Sequence, residues 1–129
     1  MPDSHPMRPG IAPWLTVRDG PSALAYYEAA FGAVERYRLE DDDGRVVVAQ
    51  VAIGEADFWL GEDRDASPPD GGGPIRMILT VADPDGVFAQ ALAAGATEIA
   101  PVAEQFGWRI GRLADPFGHH WEVGRQLAG

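Results

Sequence analysis

The strongest constraint on this chain is that it carries the same pattern twice. Leu15-Thr16-Val17-Arg18-Asp19 recurs as Leu79-Thr80-Val81-Ala82-Asp83, an offset of 64 residues. Each copy leads into an Ala-rich segment that ends in Gly-Ala, first Gly32-Ala33 and then Gly95-Ala96. Each half then runs through strand-like sequence to a Gly-anchored hairpin and a Trp: Gly54 and Trp59, then Gly118 and Trp121. A repeat of this length is a whole supersecondary unit rather than a solenoid turn. Two such units can enclose one cleft, so the duplication points to a site before any motif is read.

Composition narrows the function classes. The 129 residues suit one compact domain. There is no Cys, which excludes disulfides, thiolate metal ligands and a Cys nucleophile. The net charge is −10 and all ten basic residues are Arg. No basic stripe of the kind nucleic acid needs is present. The acidic balance has two readings: solubility alone, or long-range attraction of a cationic ligand. No run is apolar enough to span a membrane, and Met1 to Pro9 lacks the apolar segment of a signal peptide, so a cytoplasmic location is expected.

Local signals order the elements. Residues 1 to 10 read as a loose arm. Ile11 to Arg18 alternates and is β-rich. Asp19-Gly20-Pro21-Ser22 starts a helix that runs to about Phe31 and stops at Gly32, with Leu24, Tyr27 and Phe31 on its packing face. Glu35 to Glu40, Arg45 to Ile53 and Ala56 to Leu60 read as strands, joined by Asp41-Asp42-Asp43-Gly44 and by Gly54-Glu55. Glu62 to Pro74, acidic and rich in Gly and Pro, reads as a flexible linker. The second half predicts a strand over Ile75 to Val81, a helix capped by Asp83 and ending near Ala94, and strands over Thr97 to Ala100, Trp108 to Leu113 and His119 to Val123. The order is β-α-β-β-β, twice.

These segments resemble the vicinal oxygen chelate superfamily, and most closely its glyoxalase/bleomycin-resistance, PhnB-like branch. The resemblance is carried by Pro13-Trp14-Leu15-Thr16-Val17-Arg18-Asp19, Tyr26-Tyr27-Glu28-Ala29-Ala30-Phe31-Gly32-Ala33, Ala93-Ala94-Gly95-Ala96 and Asp115-Pro116-Phe117-Gly118-His119-His120-Trp121-Glu122. It covers roughly residues 11 to 125. It implies an α+β chain of one domain, with two tandem βαβββ modules (about 11–61 and 75–125, joined by a linker of about 62–74) that form a half-barrel cleft. It also implies homodimers, in which modules of different chains often share a cleft. The fold alone assigns no function.

Metal-dependent members of that superfamily draw a ligand from the first and the last strand of each module. By register those positions are Ala12, Trp59, Arg76 and Glu122. Of these, Glu122 alone offers a suitable donor; Ala12 has none, Trp59 has an N–H, and Arg76 brings a fixed positive charge. The sequence therefore predicts no metal site and no cofactor. Adjacent strand residues face opposite ways, so His120 rather than His119 shares a face with Glu122. This pair is the candidate for a general base or a weak metal ligand.

The same parity sends Leu15, Val17, Phe58, Leu60, Met77 and Val81 to the core, together with Trp121 and Phe88. It sends Trp14, Thr16, Trp59, Arg76, Ile78, Thr80, His120 and Glu122 to the cleft, with Trp108 as a further candidate whose facing alternation does not fix. Indole faces stack on flat aromatic ligands and on cations. Trp14 and Trp59 therefore either bind such a ligand, or fill the cleft or a dimer contact. Arg76 and Glu122 either form a structural pair or orient a ligand. Arg109 either holds an anionic group or caps the Asp115 turn. Three functions remain open: a metal-free protein that sequesters an aromatic small molecule, as bleomycin-resistance proteins do; a glyoxalase-like lyase, isomerase or dioxygenase; or a ligand-free dimerisation module.

Overall fold

The computed structural model describes residues 9–128. The arm expected over residues 1 to 10 and the N-terminal targeting reading fall largely outside them. Eleven elements follow in chain order: β1 (Trp14–Val17), α1 (Gly20–Phe31), β2 (Val34–Glu40), β3 (Val46–Ile53), β4 (Ala56–Glu62), a 3-10 turn (Asp70–Gly72), β5 (Met77–Thr80), α2 (Pro84–Ala94), β6 (Thr97–Gln105), β7 (Trp108–Ala114) and β8 (His120–Gln126). They form two four-stranded sheets, ordered β1-β4-β3-β2 and β5-β8-β7-β6, with one parallel pair in each. The duplication read from sequence is thus two βαβββ modules. No described helix is long and apolar enough to cross a membrane.

The two helices start the same way for the same reason. The Asp19 carboxylate accepts from the Ser22 N–H at 3.1 Å, and the Asp83 carboxylate from the Gly86 N–H at 3.1 Å. A proline follows each cap, where its missing N–H costs nothing. Gly32 ends α1 at φ 68°, a left-handed conformation that favours glycine. The buried face of α1 is Ala23, Tyr26, Tyr27 and Ala30; Leu24 and Phe31 are half-buried rather than central to it.

Several boundaries differ from expectation. β1 and β5 begin at Trp14 and Met77, just after Pro13 and, in the second copy, shortly after Pro74. Ala12 and Arg76 therefore precede the strands. β4 runs on to Glu62, whose carboxylate accepts from the Gly20 and Val46 N–H groups at the start of α1 and β3. β6 continues to Gln105. Part of the segment read as a free linker is tied down: Gly72 is buried against the His120 ring, where an added side chain would collide.

One core serves both modules. Leu15, Val17, Ala49, Val51, Phe58 and Leu60 of the first sheet join Leu79, Leu113, Trp121 and Val123 of the second, with α1 and α2 between them. The rings of Phe58 and Trp121 meet edge to face at 5.6 Å across the module boundary. At the centre is Asp115, a buried carboxylate. It accepts from the Tyr27 hydroxyl at 2.5 Å, the Trp121 indole N–H at 2.9 Å, and the Phe117 and His119 backbone N–H groups at 2.9 and 3.0 Å. Burial and the adjacent Asp115 charge push the Tyr27 hydroxyl well above its ordinary range, so it stays a donor. The outermost strands, β2 and β6, are exposed and broken by register shifts.

Removing this carboxylate strands four donors, two of them buried. Asp115→Ala is expected to cost about 4 kcal/mol, and Tyr27→Phe about 1–2 kcal/mol, measured by urea unfolding. An Asp115→Ala loss below that of Tyr27→Phe would contradict its central role.

Candidate functional site

The predicted site residues divide between two open faces. Paired strand residues share a face, so Trp14 and Trp59, partners across β1 and β4, stand together with Thr16. Gln50 pairs with Trp59 and Tyr37 with Gln50, extending the row across the whole first sheet. Trp14 is 54% exposed and Tyr37 48%. The Trp14 indole lies over Gly61, where any side chain would collide with it, and its N–H donates to the Thr16 hydroxyl at 3.2 Å. Gly61 thus makes room for a ring laid flat on the sheet.

The equivalent row of the second sheet is Ile78, Glu122, Arg112 and Ala100. Thr80, also on this face, is exposed, and Ile78 is 65% exposed. Trp108 shares this face: it lines a 260 Å³ hollow with Ile78, Gln105, Phe106, Ile110 and Glu122. The register makes Trp59 and Glu122 counterparts, since they pair with Trp14 and Ile78. Both open faces lie on the far side of their sheets from the shared core. The Trp14–Trp59 row stands on the first sheet and the Glu122 row on the second.

Arg76 approaches Glu122 at 3.6 Å, with their side chains 47% and 23% exposed. Such a pair contributes at most about 1 kcal/mol. His120 is engaged more closely. Its Nδ1 accepts from Arg112 Nε at 3.0 Å and Nη2 at 2.8 Å. Arginine can only donate, so this imidazole is neutral, with its proton on Nε2. His119 points the other way, and its Nε2 meets the Thr16 carbonyl at 2.9 Å. Arg109 neither caps the Asp115 turn nor stands free for an anion: it forks onto Asp85 through two bonds of 2.6 Å.

The residues do not fit the superfamily's metal. Ala12 and Trp59 have no suitable donor, Arg76 stands against Glu122, and His120 spends Nδ1 on Arg112. Among the described residues no three His, Asp or Glu side chains gather to hold an ion. Arg112 and Phe106 were not found from sequence. The strand Trp-Arg-Ile-Gly-Arg-Leu-Ala has no clean alternation, and its facing becomes readable only when Leu113 is seen buried beside Trp121.

The architecture is that of the vicinal oxygen chelate superfamily, PhnB-like proteins included. The chain belongs within it to the glyoxalase-like domain family, which it matches over residues 14–124. It is 38% identical to an uncharacterized protein of Mycobacterium bovis, over 94% of this chain and 86% of that protein. The fold is shared with the PhnB protein from Bacillus cereus (TM-score 0.72, 19% identity, 92% of this chain and 98% of that one). It is shared equally with the fosfomycin resistance protein FosX from Listeria monocytogenes (TM-score 0.72, 17% identity, 94% and 96%).

Two outcomes follow from this geometry. Titration with manganese(II), nickel(II) or zinc(II) is expected to show no saturable site, and stoichiometric binding by calorimetry would contradict the donor reading. Burial first, then Arg112, hold the His120 pKa below its ordinary 6.5, with Arg76 adding to the effect and Asp115 opposing it. The unfolded chain therefore binds a proton at a pH where the folded chain does not. Stability due to this residue is full above 6.5 and declines as pH falls from 6.5 through the lowered folded value. His120→Gln is expected to flatten that slope in urea unfolding measured from pH 7 to 5; an unchanged slope would contradict the assignment.

Proposed function

We propose that this protein binds a flat aromatic small molecule without converting it, in a cleft completed when two copies of the chain associate. The observation that carries this reading is the row Trp14, Trp59, Gln50 and Tyr37, an aromatic strip left open on a sheet whose other side is core. Indole and phenol rings on a rigid sheet offer a large contact area with little loss of side-chain freedom. Beside this strip stands the Asp57 carboxylate, which accepts from the Gln50 amide at 2.8 Å. The second sheet adds two basic groups, Arg112 and Arg76, beside Glu122. A homodimer in which the first sheet of one copy faces the second sheet of its partner supplies both.

Binding rather than catalysis suits the side chains present. Glu122 is engaged with Arg76, and the neutral His120 has no unengaged basic nitrogen to take a proton. The glyoxalase-type reaction with Glu122 and His120 as bases therefore gains no support from this arrangement. A role in drug resistance by sequestration, in the cytoplasm, fits the reading. Its ligand needs no metal or other cofactor, and nucleic acid and membrane are not among its partners.

Sedimentation velocity is expected to give a dimer, and flat aromatic drugs such as bleomycin to quench the Trp emission. Trp59→Ala should weaken binding about thirtyfold, the ~2 kcal/mol of a buried Trp anchor. A monomer whose emission no such compound alters at high micromolar concentration would refute the proposal.

A further inference from the structure

Taken as a whole the chain is strongly acidic, which by itself favours a cation. The second sheet's open face is locally the opposite. Two guanidiniums flank Glu122: Arg112 is its direct partner across β7 and β8, and Arg76 stands 3.6 Å from its carboxylate. His120 between them is neutral, because it accepts from Arg112. Among the described residues no carboxylate lies within salt-bridge distance of Arg112, whose bonds go to the His120 ring and, at 3.5 Å, to the Gly71 carbonyl. Among the described residues its Nη1 makes no hydrogen bond, and neither does the Arg76 guanidinium. Two charges thus face one, with N–H groups left over.

Arg112 is also held in place. Its Nε and Nη2 are committed to His120, whose ring is packed against Gly72 of the 3-10 turn. A half-buried guanidinium fixed by a neutral partner keeps its full charge and loses little freedom on binding an anion. Beside this cluster, and sharing Glu122 with it, is the hollow lined by Ile78, Phe106, Trp108 and Ile110. It is an open hollow of about 260 Å³, a surface on which a flat ring can lie against Trp108.

Building on the small-molecule reading above, we infer that the ligand is an aromatic oxyanion. In the cleft between two copies its ring lies between Trp108 and Phe106 of one copy and the aromatic strip of the other, and its carboxylate or phosphonate is read by Arg112 and Arg76. Glu122 is the specificity element: it spaces the two guanidiniums and rejects ligands that place negative charge at its own position. The excess charge on this face outweighs the chain's distant acidic groups because contacts at a few ångströms are screened far less than fields beyond a Debye length of ~8 Å.

The test is calorimetric titration of the full chain with four matched probes: 2-naphthoate, 2-naphthylphosphonate, neutral 2-naphthamide and (2-naphthylmethyl)trimethylammonium. At least one anion is expected to bind about tenfold more tightly than the amide, as a charge-assisted hydrogen bond provides, and the cation most weakly. The two anions separate a carboxylate ligand from a phosphonate one. Arg112→Gln should remove that advantage and leave the amide within about twofold, which also shows that the variant is folded. Arg76→Gln, at a more exposed position, is the second variant and should lower anion affinity in the same direction. Glu122→Gln should raise it. Equal affinity for amide and anions, or tightest binding of the cation, would overturn the oxyanion inference while leaving small-molecule binding intact. Failure of all four probes to bind at millimolar concentration would remove both.

Discussion

The structure hangs on one buried carboxylate. Asp115 takes hydrogen bonds from a helix of the first module, through the Tyr27 hydroxyl, and from its own hairpin and strand in the second. Apolar contact between α1, α2 and the two sheets supplies most of the attraction, but it is non-directional and would tolerate sliding. Four donors aimed at two oxygens do not. Asp115 therefore fixes how the modules sit on each other, and with that which side of each sheet becomes core. Once the inner sides are committed to a common core, the outer sides stay largely open, the second covered in part by the 3-10 turn that reaches His120 and Arg112. The open aromatic and charged faces are a consequence of the central polar contact.

Much of this was legible in the residues. The repeat, the two Asp-x-Pro or Asp-Pro helix starts, Gly32 and the Asp115-to-Gly118 turn are local signals, and each specifies its element through a backbone requirement that neighbouring residues can meet. Parity then placed Phe58, Leu60 and Trp121 inside and Trp59 opposite in role to Glu122. The remainder depended on distance along the chain. Tyr27 and Asp115 are 88 residues apart, and nothing in either segment names the other. Arg112 sits on a strand where Gly111 interrupts the pattern. The joining of both modules through one core depends on module packing, which a repeat does not reveal.

The duplication has been kept unequally. On the core side the modules remain close counterparts, Leu15 with Leu79 and Leu60 with Val123. On the open side Thr16 and Gly61 still match Thr80 and Gly124, but Trp14 stands against Ile78 and Trp59 against Glu122. Packing constrains volume and hydrophobicity within narrow limits, whereas an exposed face is free to change without loss of fold.

The irregular outer strands bear on how such a chain meets others. β2 and β6 each leave a row of backbone donors and acceptors at a sheet margin, an arrangement that invites runaway strand addition. Both are shifted in register, β2 carries Glu35, Arg36, Arg38 and Glu40, and β6 contains Pro101, which has no N–H to offer. Stacking of copies margin to margin is thereby discouraged. The flat sides of the sheets can then remain apolar and uncovered without turning the protein into a fibre-forming one.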